Sequence, residues 1–327
     1  MTCRFSTTVR VRRLLEPVSL PVLVRWHMAV AGAHSGWRRR ARRLAKTAFR
    51  LVHQRLGVPA KARLRLQAHD RAPVFTADMA NTAYMQVLLA ERGRGVEPEL
   101  AALIAVLAGR LGTVYDIGAN CGMFSARLVS EPAFRGSVHA FEMIPATCQA
   151  MRGMFADCGL SDRVSCHAFG LSAADGRVPV QLGMHSTLAR IAGEGPGNAR
   201  VEVRALDGLS LPPPDFIKLD VEGHEDSALA GARATLAESR PHVVFESWYR
   251  PDDTTAMTAP FERLEALGYR FFVLRAEDPS PAAIRLALEP LDPRSRPTLP
   301  EQLNVLAVHE RRLSEIEEAF DQASSGP

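Results

Sequence analysis

The chain has 327 residues, 46% of them hydrophobic, with a formal net charge of +4. That length accommodates one α/β domain of ordinary size plus an appendage, and the apolar fraction suffices for a sizeable buried core. No apolar run approaches the ~18 residues a membrane-spanning helix needs, which excludes an integral helical membrane protein.

The charge is unevenly placed. Residues 1–69 carry 16 Lys and Arg against one acid, Glu16, a net of +15. The remaining residues carry 24 basic and 35 acidic side chains, a net of −11. Such asymmetry predicts a basic arm, residues 1–69, attached to an acidic domain. The stretch Val18 to Ala33 follows Arg10, Arg12 and Arg13 as a signal peptide would, but Glu16 and Arg25 do not suit an uncharged centre. The five cysteines, Cys3, Cys121, Cys148, Cys158 and Cys166, are odd in number and lack metal-ligand spacing. Free thiols in a reducing, cytoplasmic compartment are the expectation.

Residues 37–56 predict a basic amphipathic helix. Trp37, Ala41, Leu44, Ala45, Ala48, Val52 and Leu56 recur at three- and four-residue steps, and arginines fill the rest. Such a helix suits peripheral contact with an anionic membrane, or equally an arm packing on the acidic domain or a partner. Nucleic acid is not expected, because no aromatics interleave the charges. Residues 70–112 read as a helical lead-in.

Short apolar runs then alternate with helical patterns, which predicts a parallel sheet with crossover helices. Strands are expected at 113–117, 137–141, 164–169, 216–221 and 242–246, and helices at 124–130, 146–158 and 226–237. Extra strands are expected at 178–182 and 201–206, and late ones at 269–274 and 304–308. The proline-rich residues 275–300 suggest a surface loop, and 310–322 a charged terminal helix. The expected division is 1–69, 70–112, a catalytic domain at 113–310, and a tail at 311–327.

Three motifs bear on chemistry. Asp116-Ile117-Gly118-Ala119-Asn120-Cys121-Gly122 closes a strand and opens a helix, where glycine permits close approach of a ligand and the helix start offers free N–H groups. The Gly-x-x-x-Gly spacing differs from the Gly-x-Gly-x-x-Gly of dinucleotide sites. Glu142 ends the next strand, 20 residues past Gly122, where an acid accepts hydrogen bonds from ribose hydroxyls. In Lys218-Leu219-Asp220-Val221-Glu222-Gly223-His224, the charged residues alternate along a buried strand and reach its carboxyl end. Helix capping by one acid and an ion pair for Lys218 are the structural alternatives.

In combination these motifs resemble the FkbM-type methyltransferases. The resemblance covers roughly Glu97 to Val308 and includes Phe141-Glu142, Leu206-Asp207, Ile217 to Glu225, and Asn304 to Val308. Met143-Ile144-Pro145 follows the strand-end acid where the family usually has Asn-Pro, and Ala168 stands where members often carry Asn. The resemblance implies a Rossmann-like class I α/β fold of about seven strands, mostly parallel, with helices on both faces. It implies S-adenosylmethionine as cofactor and a hydroxyl on a sugar, glycan or natural product as methyl acceptor. Asp116, Gly118, Asn120, Gly122, Glu142 and Asp220 would then hold the cofactor. Asp220, Glu222 and His224 are the catalytic candidates, with Glu222 or His224 as base and His185 as a second candidate. No metal is predicted. A nicotinamide-dependent oxidoreductase and a non-catalytic membrane-associated factor are the alternatives.

Overall fold

The computed structural model describes residues 5–31, 36–67, 71–92, 95–182, 189–191, 197–280 and 283–325. The chain opens with β1 (Phe5–Arg10), β2 (Leu15–Ser19), α1 (Val22–Val30) and α2 (Gly36–Phe49), the last continuing as a π-helical segment, Arg50–Arg55. β3 (Lys61–Leu66), β4 (Val74–Asp78), α3 (Thr82–Ala90) and α4 (Pro98–Leu107) lead to the alternating core. There follow β5 (Thr113–Ile117), α5 (Met123–Ser130), β6 (Ser137–Phe141), α6 (Pro145–Asp157) and β7 (Val164–His167). Short strands β8 (Gly170–Leu171), β9 (Gly176–Leu182), β10 (Ala189–Ile191) and β11 (Ala199–Arg204) are inserted before β12 (Phe216–Leu219). Then come α7 (Glu225–Ala230), α8 (Arg233–Ser239), β13 (His242–Ser247), α9 (Thr254–Glu265), β14 (Tyr269–Ser280), β15 (Ala283–Leu291), β16 (Leu303–His309) and α10 (Leu313–Ser325).

Nine strands form the main sheet in the order β1-β15-β14-β16-β13-β12-β5-β6-β7. The pairs from β13 through β7 are parallel, and those from β13 through β1 are antiparallel. The fold is the expected α/β class, with a larger sheet, half of whose pairings are parallel. Alternate residues face two cores. Val114, Val138, Phe216, Val244, Leu306 and Phe272 pack among one set of helices, and Tyr115, Phe141, Ile217, Val243, Val305 and Phe271 among another. This is the two-sided burial that makes such strands nearly continuous hydrophobic runs.

Three expectations need correcting. Residues 1–69 are not a separate helical arm. β1 pairs antiparallel with β15, from Phe5 opposite Leu288 to Arg10 opposite Ala283. β2 and β3 form a second sheet with β4, and Val24, Met28 and Phe49 join the main core. Alternation of charged and apolar residues in Lys61–Leu66, with Ala62, Leu64 and Leu66 buried, carries a strand that net charge obscures. Residues 275–300 are likewise not a surface loop. β14 extends through Ser280 into a hairpin with β15, whose Ile284, Leu286 and Leu288 are buried. A 3-10 segment, Pro293–Thr298, then buries Arg296 completely. Its guanidinium donates to Ser247 Oγ (2.7 Å) and to the carbonyls of Ser247 (2.8 Å), Leu299 (2.5 Å) and Glu301 (2.9 Å). Finally, the helix expected over 226–237 is two, broken at Gly231.

Candidate active site

The turn after β5 is fixed by its neighbours. Gly118 and Ala119 donate their N–H groups to the Phe141 carbonyl at 3.0 and 2.9 Å, and Asp220 donates its N–H to the Ile117 carbonyl at 3.0 Å. Gly118 has φ +82°, and a Cβ there would lie 1.8 Å from the Asp220 carbonyl oxygen. The glycine is therefore demanded by the adjoining backbone of the chain itself, not only by a ligand. Gly122, at φ +77°, stands at the start of α5, where a Cβ would press on Met151 and Phe155 of α6.

A cavity of about 420 Å³ opens at the carboxyl ends of β5, β6, β12 and β13. The volume suits a small molecule, and the position is where open α/β sheets hold ligands. Gly118, Asn120, Glu142, Asp220, Glu222 and His224 all line it. Asp116 and Gly122 are not among the lining residues. Asp116 is fully buried behind the wall, where Ser125 Oγ donates to its Oδ2 at 2.6 Å and ties α5 to the strand.

Glu142 is positioned by backbone donors. Its Oε2 accepts from Asn120 N–H at 2.9 Å and its Oε1 from Ile144 N–H at 2.8 Å. Burial pushes its carboxyl up to about 7, against the pull of those two hydrogen bonds. Asn120 holds a left-handed φ of +50°, and its Oδ1 is buried without a hydrogen-bond partner among the described residues. A buried acceptor left so is costly unless a donor reaches it.

On β12, the strand beside β5, Lys218 stands amid acids. Its Nζ lies 2.8 Å from Asp220 Oδ2 and 3.9 Å from Asp116 Oδ1, and 5.9 Å from the Phe124 ring centroid. Burial works against its charge, but Asp220, Asp116 and Glu97 together hold its pKa above the ordinary lysine value. Two of the acids here escaped the sequence reading. Glu97, half-buried before α4, takes a hydrogen bond from Asn304 Nδ2, which also donates to Glu99 at 2.8 Å. Burial raises the Glu97 carboxyl, with Lys218 opposing. Glu246, at the end of β13, contacts the Gln302 amide. Burial, then Asp220, Glu97 and Glu222, push its carboxyl up to about 8. Its place at a strand end beside β12 was the available signal. For Glu97 there was no local signal, because the contact spans over a hundred residues of chain.

β12 stops at Leu219, earlier than expected, and Glu222 turns the chain at φ +56°. Asp220 and Glu222 therefore do not share a strand face. His224 precedes α7, and its Nε2 lies 2.9 Å from Ser172 Oγ, while burial lowers its pKa. Asp207 accepts from the N–H groups of Ala234 (2.7 Å) and Thr235 (2.9 Å), a structural anchor for α8. His185 lies outside the described residues. Among the described residues no group of three or more His, Cys, Asp or Glu is arranged to hold a metal ion.

Residues 116–271 match the family model described as the methyltransferase FkbM domain. That stretch of the chain is similar to the methyltransferase FkbM domain. Among solved structures, a methyltransferase FkbM from Methylobacillus flagellatus KT shares 21% identity at TM-score 0.39, covering 64% of this chain and 61% of that one. An O-methyltransferase from Bacillus cereus, in complex with SAH, shares 16% at TM-score 0.38, covering 65% and 91%. A precorrin-6y C5,15-methyltransferase from Geobacter metallireducens GS-15 shares 18% at TM-score 0.34, covering 64% and 88%. The chain spans about three fifths of the length of the Methylobacillus structure it matches. No curated protein matches the chain in sequence. No helix among the described residues is long and apolar enough to cross a membrane.

Proposed function

We propose that this chain transfers the methyl group of S-adenosylmethionine to a hydroxyl oxygen on a sugar, glycan or natural product. The observation that carries the reading is one cavity with two chemically distinct walls. The Gly118–Glu142 wall offers a glycine turn, the buried Asn120 Oδ1 and a carboxylate fixed by two backbone N–H groups. Those groups fit a nucleoside: Glu142 accepts from ribose hydroxyls and Asn120 Oδ1 from a donor on the ligand. The other wall gathers Asp220, Glu222, Glu246 and Glu97 around the buried Lys218, so it offers carboxyl groups to hydrogen-bond donors on a ligand.

S-adenosylmethionine, when bound, supplies a methyl group already activated on a sulfonium. The chain's residues then hold the two reactants in line, which accounts for much of the rate in such transfers. Asp220, which lines the cavity, would place negative charge near the donor's cationic end. A hydroxyl nucleophile gains from a positioned proton acceptor. His224 serves best, because burial keeps its imidazole neutral near pH 7 and Ser172 fixes the ring. Glu222 is the rival, and Glu246 in the free protein is mostly protonated at that pH.

The test is transfer of labelled methyl from S-adenosylmethionine to a panel of hydroxylated acceptors, alongside calorimetry of donor binding. Donor binding with label appearing in an ether linkage supports the proposal. Donor binding with label on nitrogen or carbon overturns the acceptor class, and failure to bind the donor overturns the site.

A further inference from the structure

The basic N-terminal helices lie outside the cavity and play no part in the chemistry above. The structure shows how they are mounted. α2 turns Ala45 and Phe49 into the core, and Val24 and Met28 of α1 do the same. Arg92 Nη1 donates to the Met28 carbonyl at 2.9 Å, tying α1 to the segment that follows α3. The pair is a fixed part of the molecule, not a tether.

Its outward side departs from an ordinary solvated helix. Trp37, Leu44 and Leu51 recur every seven residues and are 73%, 62% and 48% exposed, with Leu56 at 66%. A seven-residue step is two helical turns, so these side chains form a ridge along the helix. The predicted apolar stripe thus divides in two: Ala45 is buried, while Trp37, Leu44 and Leu56 face out. Arg40 flanks the ridge, three residues after Trp37 and four before Leu44, with Arg43 one turn on from it; Arg39, Arg42, Lys46 and Arg50 are also exposed, and residues 36–56 contain no acid. Trp37, Arg39, Arg40 and Arg43 also line a surface cavity at the start of α2. Exposed leucines are costly in water unless a partner covers them.

We propose that this face docks on an anionic lipid bilayer, with α2 lying in the interface. The leucine ridge enters the acyl boundary, Trp37 sits at headgroup level and the arginines pair with lipid phosphates. Charge complementarity selects the lipid: a net of +15 in residues 1–69 is attracted, and the net of −11 in the rest is repelled, so the molecule is oriented with its acidic body away from the surface. A bilayer also explains why ridge and arginines adjoin, since it offers apolar and anionic chemistry at neighbouring depths.

The experiment is co-flotation of the full chain with vesicles of phosphatidylcholine alone and with vesicles in which about a third of the lipid is phosphatidylglycerol. Strong binding to the second, weak binding to the first and weakening with salt are expected. Arg39→Gln/Arg40→Gln/Arg43→Gln should weaken binding about 100-fold, at about fivefold per cation. Leu44→Ser/Leu51→Ser should weaken it at least about tenfold, while leaving the thermal melt and donor affinity unchanged. Because the replaced side chains are exposed, these variants keep the core intact. Equal binding to both vesicle types, or none, overturns the proposal. So does a concentration-dependent dimer that the leucine variant abolishes, which would make a second copy the occupant. Retained lipid binding in a variant that has lost donor binding leaves the docking face standing on its own.

Discussion

Lys218 and Arg275 each sit among acids in the same nine-stranded sheet, one in its parallel half and the other in its antiparallel half. Lys218 is buried, with Asp220 at 2.8 Å and Asp116 at 3.9 Å. Arg275 on β14 reaches Glu301 at 2.7 Å and Glu289 at 3.5 Å, with all three side chains between a third and a half exposed. Water screens the second cluster and leaves it little free energy. The first cluster is desolvated, so its charges couple strongly and carboxyls such as Glu246 and Glu97 rise. Similar ion pairs on one sheet thus mark a candidate site in one half and ordinary surface in the other. The difference is made by topology: parallel strands send all their carboxyl ends to one edge, whereas antiparallel strands divide theirs between two.

The largest expected effect belongs to the proton acceptor. With donor saturating, His224→Asn should lower the single-turnover rate by about 100- to 10,000-fold, the usual contribution of a positioned base. Glu222→Gln should leave it within about threefold. The reverse result assigns the base to Glu222, and normal turnover in both removes proton transfer from this cluster.

Glu142→Ala comes next. It removes a charge-assisted acceptor and leaves the Asn120 and Ile144 N–H groups without their partner. Donor affinity should fall by about 10- to 150-fold, or about 1.5–3 kcal/mol. Calorimetry on the folded variant checks this, and unchanged affinity would place the ribose elsewhere.

The reach of the sequence follows the same division between halves. Strands β5, β6, β12 and β13 were legible because each is a short apolar run ending in an acid or glycine, with a helical pattern after it. Asp220, Glu142 and His224 could be grouped from those strand ends. Glu97 could not, since the contact with Asn304 is made only when β16 folds beside β13. Nor could β1 and β15, whose pairing joins residues nearly three hundred apart. The alternation in Ile284, Leu286 and Leu288 was present, but prolines at 279, 281, 290 and 293 masked it. Gly118 was recognised correctly as essential for a turn, but the Asp220 carbonyl that enforces it belongs to a strand end a hundred residues away.

A smaller effect separates the halves by pH. Glu246 titrates at about 8 in the folded chain against 4.5 for an ordinary glutamate. The folded state therefore holds an extra proton between those values. Its contribution to stability is full below the ordinary value and is lost as pH rises through about 8. Glu246→Gln cannot ionise, so its melting temperature should rise relative to the parent's by at least a few degrees between about pH 5 and about pH 9. Thermal melts without ligand at the two pH values decide it. A constant difference across that range would mean Glu246 is ionised throughout and the cluster is wetter than its geometry implies.

The smallest effect is the control for the comparison. Arg275→Gln removes a cation with two acid partners, as Lys218→Gln does. If the number of ion pairs governed stability, the two substitutions would cost alike. Because Arg275, Glu289 and Glu301 are all substantially exposed, the freed carboxylates are solvated as soon as the guanidinium goes. The loss should be about 0–1 kcal/mol and should shrink further in high salt. Lys218→Gln instead strands Asp116, which is fully buried, beside the partly buried Asp220, so those carboxyls must take up protons or the strand must open to water. Denaturant melts of both variants at low and high salt measure the contrast. Equal, salt-sensitive losses would show that the Lys218 cluster is solvated like its counterpart, and the distinction between the two halves would fail with it.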